Sequence, residues 1–524
     1  MYSDYKRKGI TLLKKGQKGV VHALFSRFGL ILLLFLVQVL ILFSIFQWFE
    51  EFLPHILGGT ALFTFVMVIY LLNSRMNPTA KITWLIVIAL LPVFGVLLLL
   101  YTQSNVGNRA LRSRVNQMLG DTRELIPQSR QIMKELEQEN PGAAALARYM
   151  HRSGCHPVYA QTAVTYFPLG EYKFEEMLKQ LELAEHFIFM EYFIVDEGVM
   201  WGQILEILAG KAAQGLDVRV MYDGTCEFSL LSHDYPKRLQ KLGIQCKVFS
   251  PVTPFVSTHY NYRDHRKILV IDGHTAFNGG VNLADEYINQ KEKFGHWKDT
   301  AVMLKGAAVQ SFTLMFLQMW GIDQRETEYG KFLSAIPALE EKKGYVIPYG
   351  DCPLDQDKLG ERVYMDILNR SQKYVHIMTP YLILDGELET AMKFAAERGT
   401  EVVLILPGIP DKFIPYALAK THYASLLESG VKIYEYTPGF VHAKVFVSDD
   451  REAVVGTINL DYRSLYHHFE CATYLYGTDC IAEIEADVQA TLKKCRQVTM
   501  ETVRREKLKM KITGSLMKAV APLM

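Results

Sequence analysis

The sequence carries almost no net charge: 57 Lys and Arg stand against 56 Asp and Glu, a formal +1. It also has no basic stripe interleaved with aromatics, and the two absences together argue against a nucleic-acid partner. Seven cysteines, at 155, 226, 246, 352, 471, 480 and 495, are scattered without a CxxC and without a paired spacing to histidine. Neither a disulfide framework nor a zinc site is expected from them, and they read as free thiols. No spacing of Asp, Glu and His demands a metal ion, so no cofactor is expected. The first apolar run begins too far from the start, and lacks the small-residue cleavage site, for a secretory signal.

Uncharged apolar runs are abundant. Hydrophobic residues make up 49% of the 524, high for a soluble enzyme. A basic leader (1–27) precedes three runs, 28–48, 52–72 and 82–101. About 20 residues in a helix span the roughly 30 Å hydrocarbon core, so region 28–101 is expected to form transmembrane helices. Gly58-Gly59, Pro92 and Gly95 are tolerated in such helices, and Trp48, Trp84 and Tyr101 lie near run ends, where amphipathic rings prefer the interface. The second run is the shortest and is open to a re-entrant reading. The basic N-terminus belongs inside, so three spans place the rest outside, while Arg109, Arg112 and Arg114 pull the other way.

Residues 102–165 form a polar helical connector. From 166 on, strand-like stretches alternate with helix-like ones, the signature of an α/β sheet. The order helix, strand, helix, strand over 174–222 recurs over 363–406, and Tyr192-Phe-Ile-Val-Asp196 parallels Tyr381-Leu-Ile-Leu-Asp385. This is a domain-scale duplication, with halves at 166–345 and 346–500. A basic amphipathic tail (501–524) closes the chain and is expected to lie on anionic lipid.

The duplication includes a reactive constellation. His265-Arg-Lys267-Ile-Leu-Val-Ile-Asp272 returns as His442-Ala-Lys444-Val-Phe-Val-Ser-Asp449, and each copy is followed by a small-residue turn ending in Asn282 or Asn459. In a strand, residues two apart share a face, so each His stands beside its Lys. Asp272 and Asp449 fall at the strand ends and are expected to accept backbone donors there. A phosphodiester suits two such sets facing each other. Lys267, Lys444, Asn282 and Asn459 would hold the anionic oxygens. One imidazole would attack phosphorus while the other passes a proton to and from the alkoxide.

These residues resemble the paired HKD motifs of the phospholipase D superfamily. Asn77-Pro-Thr-Ala-Lys-Ile-Thr-Trp84, Thr379-Pro380-Tyr381 and Gly456-Thr-Ile-Asn-Leu-Asp-Tyr-Arg-Ser464 narrow the resemblance to the bacterial cardiolipin synthases. The resemblance implies two phospholipase D-like halves, mixed sheets flanked by helices, related by a pseudo-twofold. It implies His265 as nucleophile and His442 as general acid/base, labels that the sequence leaves exchangeable. In that family a carboxylate downstream of each His orients its imidazole; Asp299 follows His265, and Glu470 follows His442, at fitting distances. The first copy has Gly279-Gly280 where many relatives have Gly-Ser, which removes a hydroxyl. The implied reaction joins two phosphatidylglycerols into cardiolipin and glycerol in a bacterial plasma membrane. A phospholipase D hydrolase or a transferase with another alcohol acceptor is the alternative; a phosphodiester nuclease or a non-catalytic membrane scaffold stands further off.

Overall fold

Two sheets with one strand order form the body of the protein. The computed structural model describes residues 53–523 except 75, 104–105, 229, 252–261, 323, 325–327, 334–342 and 356. The basic leader and the first apolar run therefore lie outside the described residues.

In chain order the first half contributes β1 (Ala163–Phe167), β2 (Phe187–Tyr192), β3 (Asp217–Asp223), β4 (Gln245–Phe249), β5 (Arg263–Asp264), β6 (Lys267–Ile271), β7 (Thr275–Gly279), β8 (His296–Lys298) and β9 (Ala301–Lys305). The second half contributes β10 (Tyr345–Asp351), β11 (Tyr374–Met378), β12 (Glu401–Pro407), β13 (Lys432–Tyr436), β14 (Gly439–Val441), β15 (Val445–Ser448), β16 (Glu452–Gly456), β17 (His468–Tyr476) and β18 (Cys495–Val498). The first sheet runs β1-β9-β7-β6-β2-β3-β4, and the second runs β10-β17-β16-β15-β11-β12-β13-β18. Apart from β18 the two orders correspond strand for strand. Both are mixed: β2, β3 and β4, like β11, β12 and β13, are parallel, and the other neighbours are antiparallel.

The register corrects one detail of the repeat. Val195 bridges Leu283, and Leu382 bridges Leu460. Tyr192 thus corresponds to Thr379, and the textual match of Tyr192 with Tyr381 is two residues out of step.

The sheets meet face to face. Ile268, Val270, Ala276, Val302 and Leu304 of the first join Val445, Val447, Ala453, Val455 and Phe469 of the second in one buried cluster, closed by Phe312, Phe316, Ile484 and Val488 from two helices. These strands are apolar on both sides because each also covers an outer cluster beneath its own helices. Burying one such side chain contributes about 1.5–3 kcal/mol, so the halves fold as one unit. The connector helices Arg130–Glu139 and Pro141–Gly154 pack on the second half through Leu136, Ala144, Ala147 and Met150.

The run 82–101 departs from the single span expected. It is divided between the helices Pro78–Leu90 and Pro92–Gln103. Pro92 has no N–H to offer and disfavours the α conformation at Leu91, which sits at φ −139°, ψ 74°. The chain folds back there: a Cβ at Gly95 would lie 3.0 Å from the Ile88 backbone. Helices of 13 and 12 residues rise about 20 Å, short of a roughly 30 Å core. The second run forms the helix Leu53–Asn73, whose side chains are described from Ala61 on. Among the described residues no helix is long and apolar enough to cross a membrane. Asn77, at the start of the hairpin, donates to the Tyr466 hydroxyl at 3.2 Å and so ties it to the second half.

The tail also differs from one continuous amphipathic helix. It is split into Met500–Arg504 and Leu508–Lys518. The second piece lies close against the helix Phe413–Glu428, where a Cβ at Gly514 would meet the Ala417 carbonyl at 2.4 Å. Leu508, Ile512 and Leu516 remain outward, each more than half exposed.

Candidate active site

Each HKD histidine sits just before its strand, and the reason is a strand exchange between the halves. Arg263 and Asp264 of β5 pair in parallel with His468 and Phe469 of β17. Phe440 and Val441 of β14 pair in parallel with Trp297 and Lys298 of β8. The His265 N–H then donates to the Phe469 carbonyl at 2.9 Å, and the His442 N–H to the Lys298 carbonyl at 2.7 Å. The next residues on the partner strands are Glu470 and Asp299.

The orienting carboxylates are consequently crossed. His265 Nδ1 donates to both Glu470 oxygens at 2.9 Å, and His442 Nδ1 to Asp299 Oδ2 at 2.7 Å. This overturns the sequence expectation that each acid serves the His before it in the chain. Spacing along a chain cannot reveal a pairing made across two halves. In either case the carboxylate fixes the Nδ1–H tautomer and leaves Nε2 with its lone pair.

The two sets share one pocket. Lys267, Lys444 and His442 all act electrostatically on His265, and Lys267 and Lys444 both act on His442. Burial is the main cause lowering both imidazoles, His265 well below the usual range and His442 to about 4; the lysines add to it. Burial also brings Lys267 down to about 8 and Lys444 to about 7, against the opposing pull of Glu470 and Asp299. Lys267 Nζ donates to the His265 carbonyl at 2.7 Å, and Lys444 Nζ to the His442 carbonyl. Burial in the pocket thus favours neutral imidazoles and makes the buried ammoniums costly. An anion placed there would relieve the lysines and raise both histidines.

Aromatic rings shape the walls. Phe193 stands edge-on to His265 at 4.9 Å, and Tyr287 edge-on to His442 at 5.3 Å. Asn282 is tied down locally: its oxygen accepts from Ile194 N at 3.1 Å and its amide donates to Tyr287 Oη at 2.8 Å. Asn459 Oδ1 is buried with no hydrogen-bond partner. No motif marks Phe193, Tyr287 or the buried Lys173, which donates to Tyr192 Oη at 3.2 Å and the Val281 carbonyl at 3.4 Å. Arg266, between His and Lys in the first motif, donates to Glu191 at 2.6 Å in the core behind the site.

Asp272 and Asp449 are not among the reacting groups. Each ends its strand in a left-handed conformation, φ 52° and 53°. Asp272 accepts from the N–H groups of Glu185, His186 and Phe187, and Asp449 from those of Gln372, Lys373 and Tyr374. At about 3.3 Å per strand residue, Asp272 lies some 15 Å along the chain from Lys267. Their grouping with the catalytic residues is corrected: they anchor the motif. Asp272→Ala or Asp449→Ala is expected to cost about 1–3 kcal/mol in urea unfolding while the folded fraction keeps its specific activity. A loss of activity without a shift of the unfolding midpoint would contradict this.

The Gly279-Gly280 pair has a steric cause. A Cβ at Gly280 would fall 2.0 Å from Asp299 Oδ1. In the second half the corresponding Thr457 uses its hydroxyl to donate to Glu470 instead. Gly280→Ala is therefore expected to push Asp299 off His442 and lower kcat about 100-fold, with KM little changed. A variant with normal kcat would show that the carboxylate can move freely.

Two groups among the described residues have metal-ligand spacing: His265, His468 and Glu470; and Glu361, Asp385 and Glu387. In the first, the charges of Lys267 and Lys444 on His265 oppose a dication. In the second, the Tyr466 hydroxyl already donates to Asp385. All seven cysteines are free.

Comparison with known proteins accords with this geometry. The family described as "Cardiolipin synthase, PLD-like domain" matches residues 177–320 and 364–492, and one described as "Phospholipase_D-nuclease N-terminal" matches 62–101. A protein of Streptococcus mutans described as uncharacterized is 59% identical over 87% of this chain and 99% of its own. A cardiolipin synthase of Halalkalibacterium halodurans is 33% identical over 88% of this chain and 92% of its own. Among solved structures, the phosphatidylserine synthase of Haemophilus influenzae is similar with a TM-score of 0.56 and 17% identity, covering 73% of this chain and 98% of that one. That likeness establishes the fold. With the family match over both halves and the relatives aligned over most of its length, the chain belongs to the cardiolipin synthase family of phospholipase D-like proteins.

Proposed function

We propose that the protein is a cardiolipin synthase that transfers a phosphatidyl group from one phosphatidylglycerol to another. The observation that carries this reading is the crossed pair of imidazoles, each on a carboxylate of the other half, around two lysines in one pocket. The bound phosphodiester raises His442 so that it also carries a proton on Nε2. His265 Nε2 attacks phosphorus and the bond from phosphorus to the glycerol oxygen breaks, with His442 giving that proton to the departing glycerol. The terminal hydroxyl of a second phosphatidylglycerol then passes its proton to His442. Its oxygen attacks phosphorus, the phosphorus–nitrogen bond breaks and cardiolipin leaves. One phosphodiester replaces another, so the exchange needs no ATP. Lys267 and Lys444 neutralise the oxygens on which charge grows, in a pocket where water cannot screen it.

Both substrates are bilayer lipids, so the pocket belongs at headgroup level of the plasma membrane. The helix Leu53–Asn73 and the hairpin after it support this placement: Leu62 and Phe65 on the first, and Leu90 and Leu97 on the second, are each about 60% exposed or more. The outward Leu508, Ile512 and Leu516, interleaved with Lys509 and Lys511, support a further contact with anionic headgroups.

Purified protein in vesicles of labelled phosphatidylglycerol tests the reading. Cardiolipin with equimolar glycerol supports it, phosphatidic acid makes it a hydrolase, and absence of any lipid product overturns it. The pH profile is a second test. Since burial lowers Lys444 to about 7 and Lys267 to about 8, kcat/KM is expected to fall as pH rises through that window. A bound phosphodiester favours the ammonium forms, so the alkaline limb of kcat lies higher. A kcat/KM that stays flat to about pH 9 would contradict this assignment of the lysines.

A further inference from the structure

Glu470 is held by more than His265. Thr457 Oγ1 donates to its Oε2, and the ring of His468 stands at its Oε1, with Nδ1 3.4 Å away. His468 is 8% exposed, and its ring lies 5.3 Å from that of His265. Arg463 Nε donates to His468 Nε2 at 3.2 Å. That bond puts the His468 proton on Nδ1, which lies 3.4 Å from the carboxylate oxygen and forms no closed hydrogen bond among the described residues. The corresponding residue of the first half is Trp297, two before Asp299, with its ring 5.4 Å from His442. An aromatic ring thus flanks each imidazole, and the one beside His265 brings an N–H, backed by Arg463, to 3.4 Å from the orienting acid.

We infer that His468 is a positioning residue that, opposite Thr457, centres Glu470 on Nδ1 of His265 and makes the His265 arm the nucleophilic one. The inference rests on the proposed phosphohistidine chemistry. It gives a physical reason for the assignment of roles that the sequence left exchangeable. The His468 N–H dipole spreads part of the Glu470 charge away from His265. The imidazole is kept neutral and its Nε2 aimed, whereas Asp299, the acid that holds His442, takes its further hydrogen bond from the adjacent Thr300 backbone N–H at 2.8 Å. The other groups that face His265 are Lys267 before its own strand interior, His442 and Lys444 from the second motif, and Arg463 beyond His468. All but Glu470 oppose a positive charge on it.

The test compares His468→Asn with His468→Phe in the full-length protein. The Asn amide nitrogen takes the place of Nδ1 and keeps the donor; Phe keeps the ring and loses it. We expect His468→Asn to retain most of kcat, and His468→Phe to lose about 10- to 100-fold in kcat with little change in KM. We also expect the acid limb of kcat/KM to move to higher pH in His468→Phe, because the full Glu470 charge then favours protonated His265. The pH dependence of His265 carbethoxylation by diethyl pyrocarbonate, read by mass spectrometry, reports the same shift without any turnover. An unmoved carbethoxylation profile in His468→Phe overturns the inference, as does equal loss in both variants. Absence of turnover in the unsubstituted protein would count against the proposed function instead, and the carbethoxylation arm would still decide the role of His468.

Discussion

His265→Ala and His442→Ala are each expected to remove essentially all turnover, a loss of about 10,000-fold or more, and the double variant to be no worse than the weaker single. The reason is that in the proposed reaction the two imidazoles act on one phosphorus in sequence, so losing either stops the same cycle. Non-additivity of this kind marks groups that work as a unit. Two independent sites would behave differently, each single variant keeping about half the activity and the double losing the rest. The variants should stay folded. Each His is buried and neutral, and its Cα and backbone N–H are held by the strand exchange, not by the ring. Quenching His442→Ala after mixing with a labelled phosphatidyl ester of nitrophenol should trap lipid on His265, since that leaving group needs no proton and deprotonation of the acceptor is impaired. Label on Lys or Ser, or on no residue, would reject the nucleophile assignment.

The crossed carboxylates give the second large effect. Glu470→Gln should resemble His265→Ala, and Asp299→Asn should resemble His442→Ala, with losses of up to about 10,000-fold from the wrong tautomer. A substrate with a nitrophenyl leaving group separates the arms. It departs without a proton, so the first chemical step is expected to recover in His442→Ala and Asp299→Asn, read as the burst of released nitrophenol. No such recovery is expected in His265→Ala or Glu470→Gln. Recovery that followed chain order, Glu470 with His442 and Asp299 with His265, would refute the strand exchange as a functional arrangement.

Much of the site was legible because it is written twice. The repetition of His, Lys, Asp and Asn at equal spacing identified the reactive set, and the Asp residues were expected as acceptors of backbone donors, which is where Asp272 and Asp449 lie. The β–α alternation gave the class of fold, and the two sheets share the strand order that a duplication demands. Other features were hidden. Phe193, Tyr287 and His468 reach the imidazoles from distant elements and carry no motif of their own. The run 82–101 is uncharged throughout, and hydropathy alone does not register that Pro92 bends it back at Leu91.

The amino-acid sequence by itself determined which side chains stand together as candidates for the proposed chemistry, since residue type and spacing fix what a strand can present on one face. Which acid serves which histidine was decided only by the tertiary structure. β5 pairs with β17 and β14 with β8, and those pairings lie across an interface between halves 177 residues apart in motif spacing, His265 to His442. Hydrogen bonds between strands depend on register in space, and proximity along the chain does not set that register.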